Sequence, residues 1–125
     1  MGGKRGSCLC GQVTYRVDGP LREVVACHCT QCRKTSGHYV AATSAAADDL
    51  AISGEVTWYR ASTTARRGFC ATCGSSLFWA PDGEARFSIF AGTLDGATGL
   101  RMTSQICTRN KGDYYDLPDV PVGDD

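Results

Sequence analysis

Cys27, His28, Cys29 and Cys32 fall within the six residues CHCTQC, which sets three soft ligands and an imidazole in one turn. Two further places carry paired cysteines: GSCLCGQ, with Cys8 and Cys10, and GFCATCGSS, with Cys70 and Cys73. In an oxidising compartment the eight cysteines of this chain would form a disulfide framework. In a reducing one they are metal ligands or catalytic thiols. C-x-C and C-x-x-C pairs are poor cross-links between distant parts of a fold but chelate a small cation well, so the spacing favours metal.

Residues i and i+2 of a strand face the same side, so Cys8 and Cys10 are expected to aim both sulfurs at one point, with Gly11 freeing the turn beside them. FCATCG reads as a zinc knuckle, a C-x-x-C turn closed by glycine. Neither pair completes a tetrahedron. Together Cys8, Cys10, Cys70 and Cys73 have the composition of a structural zinc site with bonds of about 2.3 Å. Pairs of buried free thiols and a tetrathiolate iron centre are the competing readings.

With those four assigned, Cys27, Cys29 and Cys32 remain. Three protein ligands on zinc leave a position for water or substrate, which marks a catalytic rather than a structural ion. An all-thiolate set favours a soft incoming ligand, above all another sulfur, and zinc deprotonates a bound thiol at neutral pH. The trio is therefore expected to act through bound zinc on a thiol that the substrate brings. Arg33 and Lys34 could offset the excess negative charge or hold a carboxylate of an anionic thiol; a solvated basic pair is the alternative. Arg33, Lys34 and Ser36 are the candidate substrate contacts. His28 could close the site as a fourth ligand, although its ring should point away from its two cysteine neighbours along an extended chain. His38 reads as an ordinary strand-end residue. Cys107 reads as a packed core side chain or, alternatively, a fourth ligand from afar.

The elements that must carry these residues are short strands. QVTYRVD alternates Val13, Tyr15 and Val17 with polar neighbours, the period of a half-buried strand. LREVVACHC, HYVAATSA, EVTWYRAS, SSLFWA, ARFSIFAG and RMTSQICT extend the set to about six to eight strands, separated by turn signals such as Pro81-Asp82-Gly83 and Asp95-Gly96. In EVTWYRAS, Val56 and Trp58 share a face. TQCRKTSG suits a single helical turn closed by Gly37, and an acidic turn follows around Asp48 and Asp49. The expectation is one domain over residues 1–125, all-β with antiparallel sheets, a thin core helped by a metal staple, and an acidic tail from 119 to 125 lying loose.

Thirteen basic side chains balance thirteen acidic ones in 125 residues. That neutrality weighs against nucleic acid as a partner; only Arg60, Arg66, Arg67 and the Arg33–Lys34 pair hint at a basic stripe. No apolar run is long enough to cross a membrane, and no apolar stretch follows the basic N-terminal residues as in a secretory signal. Gly2 is not followed by the hydroxyl residue that myristoylation wants, since Gly6 occupies that place. A cytoplasmic location is expected.

The assembled pattern is specific. G-S-C-L-C-G-x-V-x-Y at 6–15, C-H-C-x-x-C-R-K-x-S-G at 27–37 and F-C-x-x-C-G-S-x-L at 69–77 resemble the family of glutathione-dependent formaldehyde-activating enzymes and centromere protein V. EVTWYRAS and TLDG are also similar to the family, and the likeness runs over about residues 6–118. It implies a β-tent fold, a structural zinc on the positions of Cys8, Cys10, Cys70 and Cys73, and a second zinc on those of Cys27, Cys29 and Cys32. It also implies a carbon–sulfur lyase that combines glutathione with formaldehyde into S-hydroxymethylglutathione. Two departures fall near the expected substrate end: Gln105 where the family often has histidine before the late strand, and KGDYY at 111–115 where it often has lysine, proline and tryptophan.

Three functions follow as expectations. The first is a lyase using two zinc ions, with a small thiol such as glutathione and a small aldehyde as partners. The second is a non-catalytic zinc domain binding a thiol or a protein, in line with the family's chromatin-associated members. The third, a nucleic-acid zinc module, has the weakest support. A homo-oligomer is compatible with all three.

Overall fold

Alternation in the run TYRV places Tyr15 and Val17 in the interior and Thr14 and Arg16 outside, and the same period recurs in VVAC and LAIS. A computed structural model describes residues 3–123 and contains ten strands and one α-helix. The strands are β1 (Lys4–Ser7), β2 (Thr14–Val17), β3 (Val24–Cys27), β4 (Val40–Ala46), β5 (Leu50–Ser53), β6 (Thr57–Arg60), β7 (Ala65–Phe69), β8 (Ser76–Pro81), β9 (Arg86–Phe90) and β10 (Met102–Ile106). The helix α1 spans Thr30–Ser36. Met1, Gly2, Asp124 and Asp125 lie outside the described residues, and with them the N-terminal end considered for myristoylation and the last two residues of the tail.

The strands form a three-stranded sheet in the order β1-β2-β5 and a seven-stranded sheet in the order β10-β3-β4-β9-β8-β7-β6. Val13, Tyr15, Val17, Leu77, Phe78, Ile89 and Leu94 make the core, with Trp58 and Phe87 packed on it. The Tyr15 ring meets Phe78 edge-on, and its hydroxyl pairs with Thr93 Oγ1 at 2.7 Å. Gly6 is pressed against that ring, where a side chain has no room.

The mainly β expectation holds, with three differences of detail. The pairing of β10 with β3 is parallel, because the chain passes from β9 to the free edge of β3 through the long 91–101 crossover. Strands β1, β5 and β7 go beyond the runs expected from alternation. The β7 run ARRGF hides its period behind two adjacent arginines and a glycine. The C-x-C pair sits in a turn after β1 rather than in a strand: Gly11 N–H donates to Cys8 O at 3.2 Å, and Cys8 N–H to Val13 O at 3.0 Å.

The tail also differs. From composition it is loose, yet up to Gly123 it is fastened to Gln105. Gln105 N–H donates to Pro121 O at 3.0 Å, Gly123 N–H donates to Gln105 O at 2.7 Å, and the Gln105 amide nitrogen donates to Pro118 O and Val120 O. A buried side-chain amide thus replaces the apolar contacts that the tail lacks.

Gly54 adopts φ +91°, and a Cβ there would lie 2.1 Å from the carbonyl oxygen of Gln12, in the loop that carries Cys8 and Cys10. Gly54→Ala should therefore lower folding stability by about 1–3 kcal/mol, the usual cost of a strained backbone position. Thermal unfolding followed by circular dichroism measures it; an unchanged midpoint would contradict the register of this loop.

Candidate metal centres and the cavity between the strands

The first cluster joins two loops. Cys8 and Cys10 come from the turn after β1, and Cys70 and Cys73 from the knuckle after β7. The knuckle closes because Gly74, at φ +81°, donates its N–H to Cys70 O at 2.7 Å. The two loops are tied together by Leu9 N–H to Ser75 Oγ at 2.9 Å and by a hydrogen bond between Thr72 and Gln12. The four sulfurs lie within 4.8 Å of one another. Cys8 Sγ is 3.6 Å from Cys10 Sγ, and Cys10 Sγ is 3.8 Å from Cys70 Sγ. A disulfide needs about 2.05 Å, whereas sulfurs at the corners of a tetrahedron with bonds of about 2.3 Å stand roughly 3.8 Å apart. The donor set and its spacing fit a four-thiolate metal site.

The surroundings pull the thiols in opposite directions. Cys73 is lowered to about 5, first by the Ser75 hydroxyl and then by backbone N–H donors. Cys10 is raised to about 11: burial and the neighbouring thiols, Cys8 first among them, outweigh the backbone N–H of Gln12, its largest single influence. Thiolates placed so closely repel, so all four can ionise together only around a cation.

The second cluster comes from one continuous stretch. Cys27 ends β3, Cys29 is the N-cap of α1, and Cys32 lies in the first turn of the helix. Cys29 Sγ accepts the N–H of Cys32 at 3.4 Å, and Gly37, at φ +81°, closes the other end of the helix by donating to Arg33 O at 2.8 Å. The three sulfurs lie within 4.8 Å of one another. Hydrogen bonds from Cys27, then Cys32, hold the Cys29 thiol far below its ordinary value, while Cys27 is pushed up by the same neighbours, Cys29 first. The trio therefore carries its negative charge first on Cys29. Its donors also fit a soft cation.

His28 is not part of either cluster. Its ring is fully buried behind the trio, as an extended segment requires of the residue between two ligands. Nε2 faces Gln105 Oε1 at 2.9 Å, and Nδ1 faces the Tyr115 hydroxyl at 2.8 Å. Because the Gln105 amide nitrogen is engaged with two tail carbonyls, its oxygen accepts from His28 Nε2–H, and Nδ1 accepts from Tyr115. Gln105 thus lies inside β10 with its side chain against His28, and Tyr115 of KGDYY stacks on the same ring. Lys111 Nζ donates to Tyr115 O at 2.8 Å, and the His38 ring packs against Tyr39 and Tyr115.

In front of the trio lies a cavity of about 400 Å³. Cys27, Cys29 and Cys32 line it together with apolar Val25, Val40, Trp79, Phe90 and Ile106, and with Arg22 and Arg67. The paired residues Cys27–Val40, Ala42–Phe90 and Trp79–Arg67 put this lining on one face of the large sheet. Arg67 directs Nη2 to Cys32 Sγ at 3.6 Å and Nε to Gln31 Oε1 at 2.9 Å. Cys107, at φ +57°, also lines the cavity but is not one of the clustered ligands. None of the quartet lines it.

Arg33, Lys34 and Ser36 lie on α1 outside the cavity lining. The Arg33 Nε is buried without a hydrogen-bond partner among the described residues, Lys34 is exposed, and the Ser36 hydroxyl donates to Cys32 O at 2.8 Å. Arg22 and Arg67 are the cations that sequence reasoning missed at this site. The only signal for Arg67 was its place in RRG; once β7 is known, strand alternation sends Arg66 onto Trp58, 4.1 Å from the ring centre, and Arg67 to the opposite face. Arg60 instead pairs with Asp82 at 2.7 Å.

The chain is similar to several known proteins. The chain is 28% identical over 114 residues to an uncharacterized lyase of Schizosaccharomyces pombe, covering 90% of this chain and 83% of that protein. It is 36% identical over 83 residues to a Halomonas elongata protein provisionally named a glutathione-dependent formaldehyde-activating enzyme, covering 58% of this chain and 53% of the relative. A crystal structure of a Rhodobacter sphaeroides protein superposes with a TM-score of 0.62 at 26% identity, covering 79% of this chain and 99% of the other. The sequence model of the glutathione-dependent formaldehyde-activating enzyme family matches residues 4–110, a span that holds all the clustered cysteines, and the chain belongs to that family.

Proposed function

We propose that the protein is a zinc-dependent carbon–sulfur lyase that adds a small thiol such as glutathione to a small aldehyde such as formaldehyde, or runs that addition in reverse. The observation that supports it is the placing of three convergent sulfurs on the wall of an open cavity while the four-sulfur cluster stands outside it. Cys8, Cys10, Cys70 and Cys73 would hold a structural zinc, and Cys27, Cys29 and Cys32 a second. When bound by three thiolates, zinc supplies an open position that suits sulfur and keeps a thiol deprotonated at neutral pH.

The side chains of this protein do the rest. Arg67 holds positive charge against Cys32 and so steadies a thiolate-rich cluster. Val25, Val40, Trp79, Phe90 and Ile106 form an apolar wall that confines a small aldehyde beside the sulfur. That confinement replaces a dilute bimolecular encounter. Addition forms one S–C bond, and the proton of the thiol ends on the former carbonyl oxygen as the hydroxyl of a hemithioacetal; the reverse breaks the same bond. No carboxylate or imidazole lines the cavity among the described residues, so solvent carries that proton. Substrate contact through Arg33, Lys34 or Ser36 requires a thiol that reaches beyond this lining. The reading takes residues 1–125 as one domain working in the cytoplasm, where thiols stay reduced.

The same lack of an acid–base side chain favours a second reading, a module that binds a thiol or a protein without turnover. Proton exchange spectroscopy on glutathione and formaldehyde separates the two. The lyase accelerates equilibration of the adduct above the spontaneous rate; a metal-loaded protein that leaves that rate unchanged is a binding module.

Metal analysis tests the two sites. Wild-type protein should carry about two zinc ions per chain and Cys29→Ser about one, with its far-ultraviolet circular dichroism unchanged. Cys70→Ser should lose the other ion together with several degrees of thermal stability. Purification with iron, or loss of both ions in Cys29→Ser, would contradict the assignment.

A further inference from the structure

Apart from the three thiols, the charged side chains that line the cavity in front of the trio are of one sign. Arg22 and Arg67 line it, and no aspartate, glutamate or lysine does so among the described residues. Neither arginine has a carboxylate partner there, since the ion pairs found are Arg16–Asp18 and Arg60–Asp82. Arg67 is engaged beside the sulfurs. Arg22 stands at the other end. Its backbone N–H donates to Ser44 O at 3.0 Å and its Nη2 to Ala42 O at 2.9 Å, which anchors the guanidinium along β4. Its charged neighbour is a second arginine, Arg86, whose Nη2 donates to Ser44 Oγ at 3.0 Å. Burial, and then Arg86, draws Arg22 below its ordinary value. Arg86 does not line the cavity, but Arg22 lies exposed on its wall with no acid partner, and the guanidinium N–H groups not given to the Glu23 and Ala42 carbonyls can receive an anion.

The distance is that of a small peptide. Val40 pairs with Cys27 at the trio's end, and Ala42 and Ser44 follow on the same strand, roughly 7 and 13 Å further at the usual rise per residue. In extended glutathione the glycine carboxylate lies about 5 Å from the cysteine Cα, and the glutamyl α-carboxylate, across the longer γ-linkage, about 7 Å. Between the two ends the lining is mostly apolar, with Val25, Phe90 and Trp79 beside Ser88. A neutral two-carbon thiol would fill only the trio's end.

We infer that Arg22 is a specificity-determining residue of this cavity, receiving a carboxylate at the far end of a peptide-like thiol whose sulfur reaches Cys27, Cys29 and Cys32. This rests on the thiol-binding reading given above. It means that the protein selects among thiols by their distal negative charge, with Arg86 reinforcing the field.

Calorimetry on the zinc-loaded full chain tests it with three probes: glutathione, its diethyl ester with both carboxylates blocked, and S-methylglutathione with the sulfur blocked. Wild-type protein should bind glutathione about tenfold or more tighter than the diester, the worth of a charge-assisted pair, and should retain measurable binding of S-methylglutathione. Arg22→Met should lose that preference and the S-methylglutathione binding while keeping its affinity for the diester; Arg22→Lys should keep part of both. Equal affinity of wild-type protein for glutathione and the diester overturns the inference without any variant, and so does an unchanged preference in Arg22→Met. In both cases thiol binding, and the reading of the trio, stands. If wild-type protein binds neither glutathione nor the diester, the reading of the trio falls and this inference falls with it.

Discussion

Thiolates repel, and this molecule brings them together twice. Sulfurs 3.6 and 3.8 Å apart in the quartet are too distant for a disulfide and too close to be anions together without a cation. In the trio the contacts between Cys27 and Cys29 hold the Cys29 thiol low and push Cys27 high; in the quartet the Ser75 hydroxyl lowers Cys73, while burial and neighbouring thiols raise Cys10. A soft cation removes the conflict at each place. Every other feature of the fold can be read as a means of bringing these sulfurs into register. Two loops far apart in sequence meet at the quartet, linking the end of β1 in the small sheet to the end of β7 in the large one. In a chain with a modest core such a link carries part of the stability that apolar burial would otherwise provide.

The two clusters differ in what surrounds them. The quartet is locked by backbone groups and by the Ser75 and Thr72 side chains, with two of its cysteines buried. The trio opens onto a cavity, and its support comes from behind. His28, caught between two ligands, turns its ring into the interior and joins Gln105 and Tyr115. Gln105 in turn holds the tail as far as Gly123. A buried imidazole must satisfy both nitrogens, and the chain meets that demand with an amide and a phenol, each from a different segment. The loop that carries Cys27 and Cys29 is thereby positioned by residues that never touch the cavity. The charge of the cavity follows from a similar economy: Arg66 stacks on Trp58 and Arg60 meets Asp82 outside, while Arg67 faces in.

Much of this was legible before any coordinates. The cysteine spacings alone predicted both clusters, because C-x-C, C-x-x-C and the triplet leave few ways to arrange soft donors other than around an ion. Alternation in TYRV marked a half-buried strand, HYVAATSA and SSLFWA read as further strands, and Gly37 marked the end of the short helix, which closes there with a left-handed glycine. The C-x-C pair was read as a strand for want of any local sign that its backbone turns back from Val13 to Cys8.

What the sequence determined by itself, then, is which atoms are chemically able to meet: ligand type, spacing and strand period are local properties and survive without knowledge of the fold. What only the tertiary structure decided is which charged and polar groups face those atoms. Arg67 comes to the trio, Gln105 and Tyr115 to the His28 ring behind it, and Arg22 to the far end of its cavity, from four separate segments, through sheet order, a parallel β10–β3 pairing and a tail held by Gln105. The physical reason is that a side chain's face is set by register, and register is fixed by partners distant in the chain. Arg33 and Lys34, adjacent to Cys32 in sequence, lie outside the cavity lining, and Arg67, 35 residues away, touches its sulfur.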